Sequence, residues 1–323
     1  MERENRFDRE RQPVAMRNIL VVAHTRRDDS LAAALAVSRQ LVQAGVSPVM
    51  TAADLADFSH YAKSQDDLVV PEIKTFNTQV AADDVELAMV LGGDGTILKA
   101  AEIVRESDIP LMGVNLGHVG FLAESERDEL ASSVAHAVAR NYVIKERMTL
   151  NVDVIVDGEK VFSTWALNEA TVEKSARERM LEVVIEVEGS PLSSFGCDGI
   201  VISTPTGSTA YAFSAGGPVV WPEVEAILMV PLSAHALFSR PMVIKSSATI
   251  AVEVLQRSAG HGILWCDGRR SWELPPGARV EVSRSSASVK LARLRDSSFT
   301  ERLVRKFSLP VAGWRGTVNE PSR

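Results

Sequence analysis

Glu86-Leu-Ala-Met-Val-Leu-Gly-Gly-Asp-Gly-Thr-Ile-Leu-Lys99 decides how this chain is read. Glu86–Leu91 is an apolar run of strand length, and Ile97, Leu98, Ala101 and Val104 return at helical spacing as far as Arg105. Between the two runs, Gly92, Gly93 and Gly95 let the backbone turn tightly and come close to a ligand, while the free amides of the helix start, through Thr96, favour an anion. Asp94 stands out, because an anion site has no use for a carboxylate unless that group accepts a proton or coordinates a metal. The plain alternative is a tight strand-to-helix turn with Asp94 as helix cap. No Gly-x-x-x-x-Gly-Lys-Ser/Thr occurs, which excludes a Walker-type loop. Gly93 and Gly95 match the first two glycines of a dinucleotide fingerprint, but Leu98 stands where the third belongs, which disfavours a standard Rossmann dehydrogenase.

The flanking sequence extends the same pattern. Asn18–Ala23 is a continuous apolar run, and Asp29–Gly45 is helical with Leu31, Leu35, Val37, Leu41 and Val42 on one side and Gly45 as the terminating residue. Val46–Met50 resumes a strand, and Leu111–Asn115 supplies another. Alternating strands and helices predict a Rossmann-like α/β domain with a parallel sheet over residues 17–147. Ligands of such sheets bind beyond the carboxyl ends of the strands, where the Gly92–Gly95 turn and Asn115-Leu-Gly-His-Val-Gly120 both fall.

Near Met148 the pattern changes. Val152, Val154 and Val156 alternate with other residues, and Asp157-Gly158 is a hairpin signal. Leu181–Val187, Gly199–Ser203, Ala248–Leu255, Gly262–Cys266 and Arg279–Ser283 read as further strands, so residues 148–295 are expected to form an all-β sandwich. Ser298-Phe-Thr-Glu301 fits a capping box and opens a helix that carries Phe299, Leu303 and Phe307 and ends before Pro310. This helix, within residues 296–323, is expected to pack back on the first domain. Residues 1–16, dense in Arg and Glu, are expected to be a disordered tail.

The 323 residues are 46% hydrophobic and 24% charged, with a net charge of -7. That balance argues against a nucleic-acid surface and against nonspecific membrane adhesion, and no apolar run is long enough to span a bilayer. A cytoplasmic protein is expected. Cys197 and Cys266, each followed by Asp-Gly in a strand-like run, are expected to be small buried apolar groups. No Cys-x-x-Cys or His-Glu-x-x-His offers a zinc site, and the six histidines are scattered.

A second unusual stretch is Asp198-Gly-Ile-Val-Ile-Ser-Thr-Pro-Thr-Gly-Ser-Thr-Ala-Tyr-Ala-Phe-Ser214. Its strand leads into hydroxyls and free amides suited to ribose and phosphate, and Tyr211 can stack on a base. The alternative is a Ser/Thr-rich surface loop. Asn168-Glu169 lies in the strand-like segment Trp165–Val172, where this pair would be costly to bury unpartnered. If it faces a ligand, Asn168 offers a donor and an acceptor to an adenine edge and Glu169 accepts from a ribose hydroxyl. Lys99 and Arg179 are the nearby basic candidates, each with a solvated-surface alternative.

In order, Gly-Gly-Asp-Gly-Thr (92–96), Gly-Val-Asn-Leu-Gly-His-Val-Gly-Phe-Leu (113–122), Asn-Glu (168–169) and Asp198–Tyr211 resemble the NAD kinase family, and the likeness runs from about residue 18 to Cys-Asp-Gly-Arg-Arg (266–270). The first motif alone is shared with lipid kinases and, as a variant, with phosphofructokinases; the long threonine-tyrosine motif discriminates. The resemblance implies an α/β domain and a β-sandwich domain with the active site between them. It also implies magnesium-dependent transfer of a phosphoryl group to the 2′-hydroxyl of the adenosine ribose of NAD, from ATP alone or from ATP and polyphosphate, between which the sequence does not decide. Carried over, Asp94 would accept the hydroxyl proton, Gly95 and Lys99 would lie beside the substrate, and Gly92, Gly93 and Thr96 would form the phosphate loop. Asn168, Glu169, Arg179, Asp198, Thr209, Ala210, Tyr211, Ala212, Phe213 and Ser214 would hold NAD. A homo-oligomer, dimer or tetramer, is implied. One departure is Arg26, where bacterial relatives often have Gly. The competing readings are a lipid kinase of the diacylglycerol or sphingosine class and a non-catalytic NAD sensor.

Overall fold

The computed structural model describes residues 16–63, 70–117, 120–123, 125–176, 179–237, 239–294 and 298–311. Apart from Met16, the expected N-terminal tail lies outside the described residues. The chain divides into two compact units, Met1–Val143 and Ile144–Arg323.

The first unit is doubly wound. β1 (Asn18–Ala23) is buried along its whole length. α1 (Asp28–Gln43) buries Leu31, Ala34, Leu35, Val37 and Leu41, and Gly45 stops the chain after it at φ 73°. β2 (Ser47–Met50), α2 (Ala52–Lys63) and β3 (Lys74–Thr75) continue to one side. β4 (Val85–Leu91), α3 (Asp94–Ile103) and β5 (Leu111–Asn115) continue to the other, followed by β6 (Ser125–Glu126) and α4 (Leu130–Ala139). The strand order within this unit is β3-β2-β1-β4-β5, every pairing is parallel, and β6 adds to β5. Strands covered on both faces show unbroken apolar runs, which is why β1, β4 and β5 are legible as such. Winding direction reverses between β1 and β4, and the Gly92–Gly95 turn leaves β4 at that switch point.

β7 (Val143–Arg147) starts on the last residue of the first unit, and the second unit is built on two antiparallel sheets. Its strands are β8 (Leu150–Val156), β9 (Glu159–Ala166), β10 (Glu169–Lys174), β11 (Leu181–Val187), β12 (Ser190–Cys197) and β13 (Gly199–Ser203). A short helix, α5 (Tyr211–Ser214), precedes β14 (Ala226–Leu232), β15 (Met242–Lys245), β16 (Ile250–Val254) and β17 (Gly262–Cys266). β18 (Arg270–Leu274), β19 (Arg279–Arg284) and β20 (Val289–Arg293) complete the strands. One sheet has the order β15-β14-β13-β10-β17-β18 and the other β12-β11-β16-β19-β8-β9. Alternate residues of both, among them Val152, Val172, Val183, Ile202, Val252, Leu264 and Val280, form a single apolar core between them. Asp157 and Gly158 take φ 51° and 83° and close the β8–β9 hairpin.

The last helix, α6 (Phe299–Phe307), starts as the capping box predicts: the Glu301 N–H donates to Ser298 Oγ at 3.2 Å. Within the second unit, Phe299 meets Trp221 edge-on at 5.2 Å between centroids and Phe307 meets Phe213 at 4.7 Å.

Candidate active site

In the first domain the site is built on Asp94. Gly93 is the helix N-cap and supplies no side chain, and Asp94 occupies the first turn without capping its own helix. Its half-buried carboxylate instead reaches the loop after β5, where Oδ2 accepts the Phe121 N–H at 3.0 Å and Oδ1 accepts the Leu122 N–H at 3.1 Å. A Cβ on Gly120 would overlap Asp94 Oδ1, so this approach of backbone to carboxylate requires glycine there. The two glycine-bearing loops expected to converge at the sheet edge therefore do so through Asp94, although His118 and Val119 lie outside the described residues. Gly93 and Gly95 are exposed beside it, and Thr96 is buried behind it. Lys99, one turn further along α3, forms an ion pair at 2.5 Å with Asp54, a buried residue of α2.

In the second domain the segment Trp165–Val172 is not one strand. β9 ends at Ala166 and β10 starts at Glu169 in the other sheet, so Leu167 and Asn168 form the crossover. The Ser203–Gly207 stretch is wrapped around it. The Thr204 N–H and Ser203 Oγ donate to the Asn168 carbonyl at 2.8 and 3.0 Å, and Thr204 Oγ1 donates to the Leu167 carbonyl at 2.6 Å. A Cβ on Gly207 would overlap that Asn168 carbonyl. Ser208 Oγ donates to the Val220 carbonyl at 3.0 Å and accepts its N–H at 2.9 Å. Hydroxyls expected to meet ribose and phosphate are thus buried and occupied by backbone, which corrects that reading for Ser203, Thr204 and Ser208.

The run from Thr209 to Ser214 is divided by the fold. Ala212 is buried against Val201 and Val230, so α5 sits on the outer face of the sheet. Phe213 faces α6, whereas Thr209 and Ala210 are half-buried and Tyr211 and Ser214 are exposed. The Tyr211 phenol is held above its ordinary range by burial and by the carboxyls of Glu173, Glu169 and Asp198. Asn168 and Glu169 are each 8% exposed. Burial and the neighbouring Asp267 push the Glu169 carboxyl up to about 8, against a single backbone N–H from Tyr211 that favours its charge. Asp198 is partly exposed and pairs with Lys174 at 2.5 Å; hydrogen bonds from Lys174 and Ser233 hold its carboxyl below the usual range. Arg179 is exposed and donates to the Ala259 carbonyl at 2.5 Å. Cys197 and Cys266 are buried free thiols pushed up to about 12 by desolvation, in keeping with an apolar packing role.

Residue-by-residue reading did not single out Gly120, Gly207 or Asp267 for the site. The two glycines act by letting a backbone or a carboxylate come close, which only the folded chain reveals. Asp267 carried a visible signal, Cys266-Asp-Gly268, but that dipeptide reads first as a hairpin turn.

A carboxylate presented by a glycine turn at the switch point of a doubly wound domain, in one chain with a sandwich bearing a tyrosine and buried acids, defines a two-domain phosphotransferase. Family models make the assignment specific: the ATP-NAD kinase N-terminal domain matches residues 19–142 and the ATP-NAD kinase C-terminal domain matches residues 167–294. The chain belongs to the ATP-NAD kinase family. The NAD kinase of Leifsonia xyli subsp. xyli is 60% identical over 305 residues, 94% of this chain and 98% of that protein. The NAD kinase of Thermobifida fusca is 54% identical over 308 residues, 94% and 93% of the two chains. Among solved structures, yeast NADH kinase complexed with NADH matches with a TM-score of 0.82 at 21% identity, covering 93% of this chain and 89% of that one. An NAD kinase from Archaeoglobus fulgidus in complex with ATP matches with a TM-score of 0.65 at 22% identity, covering 91% and 100%. At those identities the likeness concerns the fold.

Proposed function

We propose that this chain transfers the γ-phosphoryl group of ATP to the 2′-hydroxyl of the adenosine ribose of NAD, forming NADP, with Asp94 as the acceptor of the hydroxyl proton. The observation that carries the reading is the placement of Asp94: its carboxylate is aimed by the amides of Phe121 and Leu122 instead of capping α3. In the transfer, the ribose oxygen bonds to the γ-phosphorus, the bond to the bridging oxygen breaks, ADP leaves, and the hydroxyl proton passes to Asp94. Phosphoryl transfer runs through a loose transition state, so positioning of the nucleophile carries much of the rate and a weak base can accept the proton late. The amides of Gly93, Asp94 and Gly95 suit phosphate oxygens at a helix start, whereas those of Gly92 and Thr96, expected in the phosphate loop, donate to the Val114 and Gly93 carbonyls at 3.0 and 2.9 Å.

Tyr211 supplies a ring for the adenine, Asn168 a donor and acceptor for its edge, and Glu169 a carboxyl for a ribose hydroxyl. Gly95 lies next to the reacting carboxylate, while Lys99 acts through its pairing with Asp54, fixing α3 to α2. Arg179, Asp198, Thr209, Ala210 and Ser214 complete the dinucleotide contacts, and Ala212 and Phe213 secure the segment beneath them. Magnesium would neutralise and spread the triphosphate charge. Asp94, the carboxylate of the glycine turn, would hold that ion together with phosphate oxygens and water. A cytoplasmic homo-oligomer, dimer or tetramer, belongs to the same proposal, and the donor is ATP alone or ATP and polyphosphate.

A coupled assay on the purified chain tests this, with ATP and polyphosphate as donors and NAD, NADH and diacylglycerol as acceptors. NADP from NAD and ATP is expected. Labelled phosphate on the lipid with none on NAD would overturn the reading.

A further inference from the structure

A chain that leaves one sheet for another strands backbone N–H groups at the crossover, and buried N–H groups must find acceptors. Asp267 provides them for Leu167 and Asn168. The Leu167 N–H donates to both carboxylate oxygens at 3.1 and 3.0 Å, and the Asn168 N–H donates to Oδ1 at 2.7 Å, across about 100 residues of sequence. The Asp267 N–H in turn donates to the Glu169 carbonyl at 2.9 Å. Arg270 donates to Oδ2 at 2.7 Å, and its guanidinium lies 4.5 Å from the centre of the Trp165 ring. Asp267 itself is 7% exposed. We propose that Asp267 is the positioning residue of the nucleoside-binding face: by fixing the sheet crossover it sets where the Asn168 and Glu169 side chains stand before any ligand arrives. The identity of that ligand rests on the function proposed above.

A hairpin turn alone does not account for this residue. Asp267 and Gly268 have φ 54° and 63°, a conformation Asn would adopt as readily, and such a turn needs no buried carboxylate. The other Cys-Asp-Gly in the chain shows the difference, since its Asp198 is partly exposed and pairs with a lysine.

The same geometry decides which of two buried acids holds a proton. The titratable and charged groups around Glu169 are Asp267, Cys266 and Arg270 from the β17–β18 hairpin and Tyr211 from α5. Burial raises both carboxyls. Asp267 is backed by the Leu167 and Asn168 amides and by Arg270, donors that favour its ionised form, whereas Glu169 has one amide and a buried Oε2 with no hydrogen-bond partner. The proton therefore sits on Glu169, which offers an O–H donor to a ligand, and the Asp267 charge keeps it there.

The test compares Asp267→Asn and Asp267→Ala with the wild-type full chain, reading kcat and KM for NAD and for ATP, the pH dependence of KM for NAD, and NAD binding by equilibrium titration. Asp267→Ala is expected to raise KM for NAD about tenfold with KM for ATP unchanged. Asp267→Asn keeps an acceptor but loses the charge. It should recover part of that KM and move the pH dependence of NAD binding about one unit to the acid side. KM for NAD within about twofold in both variants overturns the proposal, as does a raised KM in Asp267→Asn with an unmoved pH profile, which marks a structural role only. If Asp267→Ala does not fold, Asp267→Asn alone decides. A wild-type chain that makes no NADP refutes the proposed function, and the NAD titrations on the same proteins still decide the role of Asp267.

Discussion

Each domain carries a carboxyl to which a role is proposed, Asp94 and Glu169, and the two are held in opposite ways. Asp94 in the first domain is half-buried and takes one amide on each oxygen from a neighbouring loop. Glu169 in the second is almost fully buried beside another acid and takes one amide in all. The two amides fix the direction of the Asp94 carboxylate and leave it within reach of solvent. An acid stripped of solvent beside Asp267 holds its proton into the alkaline range and serves recognition. In the function proposed above, the difference corresponds to chemistry in the first domain and binding in the second.

Four substitutions bear on that division, in descending order of expected effect. Asp94→Asn removes the proton acceptor and should lower kcat about 10²- to 10⁴-fold; near wild-type kcat in steady-state assays would break the comparison at its first member. Gly120→Ala forces Asp94 off its loop amides and should lower kcat about 100-fold while the thermal unfolding of the protein stays cooperative. Tyr211→Ala should raise KM for NAD about tenfold with kcat nearly unchanged, and an unchanged KM would remove the ring from the dinucleotide contacts.

Glu169→Gln gives the smallest effect and the sharpest contrast. The unfolded chain ionises Glu169 in the ordinary carboxylate range, but the native protein holds its proton to about 8. Between those values the native state binds more protons, so this group's contribution to stability is complete below the carboxylate range and is lost as pH rises towards about 8. Gln stays neutral throughout. Thermal melts should therefore show the variant gaining on wild type between about pH 5 and pH 8.5, and parallel curves would contradict the assignment.

Legibility in the sequence followed burial. β1, β5 and β13 fall on the residues their apolar runs mark, because strands covered by protein have no polar face to interrupt them, and β11 and β17 fall where alternation marks a strand with one buried face. α2 and α4 left no such trace: they bury Asp54, Phe58 and Ala62, and Ser133, Val134 and Ala137, mixtures in which small and polar residues dilute the stripe. For the site, positions 94, 168, 169 and 211 could be nominated because each carries chemistry that a core does not need. Which hydroxyls face a ligand was not readable. Ser203, Thr204 and Ser208 are claimed by backbone at a sheet crossover, and the acid that holds that crossover comes from a distant hairpin.

The division of labour is tested most directly by the equilibrium dissociation constant of NAD for the Asp94→Asn protein, measured by calorimetric titration. Binding within about threefold of wild type, alongside lost turnover, is the predicted result. A loss of NAD affinity as large as the loss of turnover would contradict it, because Asp94 would then hold the substrate and not act on its proton.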